Sequence, residues 1–148
     1  MLKNSLAGLG IALLLPILPV FADETWLLPN GEEVTWDQDI DGISVLSYPV
    51  GRSRERVRLY VRGLAEAIDS RGTFHAYWIG PSSESYCDAS LTGPDGTTSD
   101  SFGQAIITFD KPTFPSGWSA LLGQCFDAPS DELRANALYG DQVVVPRD

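Results

Sequence analysis

Beyond its N-terminal apolar run, this chain is cut by Gly, Pro, Asp and Ser into short segments rich in β-branched and aromatic residues, and that punctuation restricts its fold more than any other feature. Gly42 to Val50 carries Ile43, Val45 and Tyr48 near alternate positions. Thr73 to Ile79 is a run of β-formers that stops at Gly80-Pro81. Tyr86 to Leu91 leads into Gly93-Pro94-Asp95-Gly96, a strong turn signal, and the segments Gln104 to Phe109 and Trp118 to Phe126 continue the series. Short strands at such spacing predict a mostly β fold, a small antiparallel β-sandwich or barrel. One short C-terminal helix is expected as well. Ser130-Asp131-Glu132 after Pro129 reads as an N-cap and acidic first turn, Leu133, Ala137 and Leu138 as the docking face, and Gly140 as the stop.

Residues 53 to 70 fit two patterns. As a helix they place Val57, Val61, Leu64 and Ile68 on one face. As a strand they turn Val57, Leu59 and Val61 inward and Arg56, Arg58, Tyr60 and Arg62 outward. Gly63 and the Val-Arg-Leu-Tyr-Val run favour a strand from Arg56 to Arg62 followed by a loop to Gly72. In either conformation Arg54, Arg58 and Arg62 share a face, because their spacing is a multiple of both two and four.

The N-terminus has the layout of a secretory signal peptide: a Lys3-bearing start, an apolar run from Leu6 to Val20, and small residues at Val20 and Ala22. Cleavage is expected after Ala22, so that residues 1–22 are the signal and residues 23–148 one secreted or periplasmic domain. Pro16 and Pro19 argue against the same run serving as a membrane anchor. No later run approaches the roughly 20 apolar residues of a transmembrane helix, and 148 residues without internal repeat or linker suit a single domain. In an oxidising compartment Cys87 and Cys125 form one structural disulfide.

Charge excludes one class of partner and singles out one segment. With a formal net charge of −10, the chain is a poor candidate for nucleic acid, which requires clustered bases. Its arginines nevertheless concentrate at Arg52, Arg54, Arg56, Arg58, Arg62 and Arg71. The stripe Arg54, Arg58 and Arg62 is expected to pair with the acids of residues 23 to 41; otherwise it faces solvent and takes a carboxylate- or sulfate-bearing ligand.

Chemistry-bearing motifs are few. Asp37-Gln38-Asp39-Ile40-Asp41-Gly42 opens like a calcium loop, with Asp37, Asp39 and Asp41 as candidate ligands. It departs from an EF-hand at Ser44 and at Tyr48, where the bidentate carboxylate should stand, so an acidic surface turn is the competing account. No other cofactor is expected. There is no G-x-S-x-G elbow and no S-x-x-K pair, the single histidine, His75, lies within a β-run, and one His with two paired Cys cannot build a zinc site. The chain reads as a non-enzyme. Trp118, after the Phe114-Pro115-Ser116-Gly117 turn, and Tyr86, beside Cys87, are candidate stacking residues, although core packing is the commoner fate of a tryptophan. The leading expectation is an exported non-enzymatic binding protein that recognises or inhibits a basic partner protein. The alternatives are a glycan-binding module of the envelope or extracellular space and a secreted hydrolase of unknown type.

Overall fold

The computed structural model describes residues 24–83, 86–140 and 142–147. The expected signal peptide, residues 1–22, lies outside the described residues. Strands β1 (Thr25–Leu27), β2 (Glu33–Ile40), β3 (Ile43–Pro49), β4 (Arg56–Arg62) and β5 (Thr73–Gly80) run as an antiparallel meander. A small hairpin of β6 (Leu91–Thr92) and β7 (Thr98–Ser99) interrupts it before β8 (Ser101–Phe109), β9 (Trp118–Leu122) and β10 (Asp131–Tyr139) complete it. Trp26 of β1 pairs with Ala137 of β10 and closes the sheet. The fold is therefore an eight-stranded antiparallel barrel, which decides between the two expected architectures.

Period-two alternation explains why the barrel is solid. Leu46, Leu59, Ile107 and Ala120 point inward and meet Trp26, Phe109 and Trp118 in one cluster. Trp26 packs edge-on against Trp118 at 6.1 Å and against Phe109 at 6.4 Å between ring centroids. Each such large side chain, fully removed from water, contributes roughly 1.5–3 kcal/mol. Trp26 also donates its indole N–H to the Ser116 carbonyl at 2.8 Å. Outward positions carry Arg56, Arg58, His75, Gln104, Thr108 and Arg134, so much of the outer wall is polar or charged. No helix among the described residues is long and apolar enough to cross a membrane.

The C-terminal helix is not formed. Residues 131–139, which hold its expected acidic first turn and docking face, are the long strand β10. Leu133, Ala135 and Ala137 alternate into the core while the backbone pairs with β9 on one side and β1 on the other. A helix here would leave both of those edges without partners, a larger loss than the local preference of Leu and Ala for helix. Gly140, at φ +60°, does not stop a helix; it turns β10 into the short β11 (Gln142–Val144). By contrast, β4 forms over Arg56 to Arg62 as its alternation requires. It ends at Gly63, whose φ of +81° suits glycine and whose amide donates to the Gly42 carbonyl at 3.0 Å.

A second apolar cluster lies on the outer wall, where Ile43, Val45, Tyr60, Ile79 and Phe102 gather with Cys87. Tyr60 stacks on Tyr77 at 4.8 Å, and the β6–β7 hairpin covers the pair so closely that a Cβ at Gly93 would stand 2.5 Å from the Tyr60 ring. The Cys87–Cys125 disulfide ties the segment ahead of this hairpin to the β9–β10 loop. Such a bond is compatible with an extracellular or periplasmic location.

Candidate functional site: the stapled hairpin and its flanks

The hairpin is held by polar as well as apolar contacts. Asp95, at its tip, accepts the Tyr60 hydroxyl at 2.9 Å and the Thr97 amide at 3.1 Å, and its second oxygen lies 3.3 Å from Nε of Arg58. Burial alone would raise the Asp95 carboxyl. The Thr97 amide, the Tyr60 and Thr97 hydroxyls and the Arg58 charge outweigh that and hold it below its usual value. Burial, reinforced by the hydrogen bond to Asp95, pushes the Tyr60 hydroxyl up to about 12.

On one flank of the hairpin opens a groove of about 510 Å³, with Arg54, Arg56 and Arg58 on one side and Thr97 to Asp100 on the other. Arg56 is pinned to the wall: Nε donates to Ser47 Oγ at 2.9 Å and Nη2 to the Ser47 carbonyl at 2.8 Å. The Ser47 and Thr35 hydroxyls in turn both donate to Asp37. Among the described residues Arg54 has no ion pair or hydrogen-bond partner. The arginine stripe is thus divided. Arg54 and Arg58 line the groove, whereas Arg62 sits at the far end of β4 opposite Ile43. Among the described residues none of the three ion-pairs with an acid of residues 24 to 41; Arg58 instead takes Asp95, 37 positions further along the chain. Among the described residues Arg71 does ion-pair with an acid of that segment, Glu24.

The opposite flank carries aromatic rings. Tyr86 and Phe126 stand next to the bridged cysteines and are 65% and 74% exposed. Phe126 lies edge-on to Phe102 at 5.6 Å, and exposed Asp88 and Asp127 adjoin the same bond. No family model, curated protein or solved structure matches this chain.

Trp118 is fully buried in the barrel and offers no stacking face, because its strand position alternates inward with Ala120. Asp37 occupies a β-bulge between Trp36 and Gln38. The extra residue shifts the alternation: the Asp37 carboxylate takes outward hydroxyls, whereas Asp39 accepts the indole N–H of core-packed Trp36 at 2.9 Å. Among the described residues no three His, Cys, Asp or Glu side chains gather as a metal site. Phe126, at the very end of a β-former run, was not singled out by sequence; its signal was its adjacency to a disulfide cysteine.

Proposed function

We propose that this chain is a non-enzymatic binding protein that acts outside the cytoplasm and recognises a basic protein through the aromatic patch at the disulfide. The observation that carries this reading is the pairing of two exposed rings, Tyr86 and Phe126, with the acids Asp88 and Asp127 around one covalent staple. Exposed aromatics held rigidly are effective anchors in protein interfaces, because little rotamer freedom is lost when a partner covers them. Two adjacent carboxylates favour a cationic partner, and the overall charge of −10 steers it at low salt. The solid core supports the same reading, since a lumen filled by Trp26, Trp118 and Phe109 leaves recognition to the outer wall.

The test is affinity capture from the native envelope or culture medium with three baits: the wild type, Tyr86→Ala/Phe126→Ala, and Asp88→Asn/Asp127→Asn. The expected result is a basic protein retained by the wild type and lost by both variants. Capture that survives both double substitutions, or a captured partner that is acidic, would overturn the proposal.

A further inference from the structure

We infer that the groove between β4 and the β6–β7 hairpin is a second binding site, and that it takes a small ligand bearing one carboxylate flanked by hydrogen-bond donors. This goes beyond the protein-binding reading and uses a different flank of the hairpin. Arg54 and Arg56 precede and begin the strand, and with Arg58 they project from one face at alternate positions. Only part of each pinned guanidinium is used. Asp95 takes Nε of Arg58, and Ser47 and Thr35 take Nε and Nη2 of Arg56. Their remaining N–H groups, together with the whole Arg54 fork, are left for a ligand. Planar guanidinium forks match the two oxygens of a carboxylate, and two that are already held in place lose little freedom on binding.

Charge and composition of the groove narrow the class. Against the three arginines stand Glu55 and Asp100 in the lining and Asp95 behind Arg58, so the site as a whole is close to neutral. A singly charged ligand gains fork contacts without adding large repulsion. A phosphate dianion would bring a second, uncompensated charge into an already acidic protein. Glu55 and Asp100 are also acceptors, and Asp100 already receives the Ser82 hydroxyl at 2.7 Å, so donors on the ligand have partners beside the arginines. A volume of about 510 Å³ accommodates a ligand of sugar-acid or amino-acid size.

The experiment titrates the full domain with galacturonate, its methyl ester, alanine and inorganic phosphate, following arginine side-chain N–H resonances by NMR. Galacturonate or alanine is expected to shift Arg54 and Arg58, and which of the two binds tells whether the carboxylate comes from an acidic sugar or an amino acid. The methyl ester should bind at least about tenfold more weakly than the free acid, since it is uncharged and its alkoxy oxygen is a poor acceptor. Arg54→Gln should lower affinity by a similar factor with an unchanged melting temperature, because Arg54 makes no contact that holds the fold. Tighter binding of phosphate, failure of both carboxylates to shift these resonances, or binding indifferent to Arg54→Gln would each overturn the inference. None of these results depends on Tyr86 or Phe126, so the two proposals fail separately.

Discussion

Arg71 closes a two-pronged ion pair on Glu24, Nη1 to Oε1 at 2.6 Å and Nη2 to Oε2 at 2.5 Å, across 47 positions of chain. Both side chains are buried, and the guanidinium lies 5.1 Å from the centre of the Phe109 ring. The Arg71 amide donates to the Pro112 carbonyl at 2.9 Å. The loop after β4, the start of β1 and the loop after β8 are thereby fastened at one end of the barrel.

Because each charge is paired away from water, removing one leaves the other stranded. Arg71→Met is expected to lower stability by about 3–5 kcal/mol, and Glu24→Gln by a smaller but clear amount. The double variant Glu24→Leu/Arg71→Met should recover much of the loss. Urea denaturation of the wild type, Glu24→Leu, Arg71→Met and the double variant measures the coupling, and additive losses would show that the pair does not act as a unit.

Gly103 is a steric requirement. A Cβ there would lie 1.7 Å from the Gly123 carbonyl oxygen, which also accepts the Trp78 indole N–H at 2.8 Å. Gly103→Ala should therefore displace the β9–β10 loop and cost at least about 3 kcal/mol. Gly72→Ala, where nothing lies within 4 Å, should stay within about 0.5 kcal/mol of the wild type. Equal urea midpoints for the two variants would contradict the close approach.

The hairpin should loosen in acid. Asp95 has a native pKa held below its ordinary 3.8, so the folded state binds fewer protons than the unfolded one in that range. Its stabilisation is complete above the ordinary value and is lost as pH falls through the lowered native one. The melting-temperature difference between wild type and Asp95→Asn should accordingly shrink below pH 3.8. A difference that stays constant on further acidification would refute the assignment. At the other extreme Tyr48 and Tyr60, both pushed up to about 12 chiefly by burial, favour the fold below pH 10.0. That contribution is lost as pH rises toward 12, and tyrosinate absorbance should show both rings ionising late.

Removing the staple should cost stability without dissolving the barrel. Closing a loop between positions 38 apart corresponds to roughly 3–4 kcal/mol of unfolded-state entropy. Cys87→Ser/Cys125→Ser is expected to lose about that much in urea. Hydrogen exchange should quicken around Leu91 to Ser99 while β2 to β4 stay protected. Unchanged exchange in the hairpin would mean that Asp95 and the Tyr60 stack suffice to hold it.

Local signals in the sequence determined a good deal of this protein. The Val57, Leu59 and Val61 alternation marked β4 and sent its arginines outward, and the paired cysteines marked the disulfide, because each signal resides in a few residues or in redox chemistry. Only the tertiary structure decided the rest. Asp131 to Tyr139 follows a helix-like cap at Ser130 and carries helix-forming Leu and Ala, yet becomes β10, because closing the barrel pairs it on both sides. Trp118 is buried because of register: pairing with β8 sets Trp118 opposite Phe109 and fixes which face of β9 looks inward. The partner of Arg58 was hidden too, since Asp95 reaches it only after the hairpin folds back over Tyr60. Strand-pairing and ion-pairing choices of this kind depend on residues tens of positions apart, and their free energy appears only when the chain is closed upon itself.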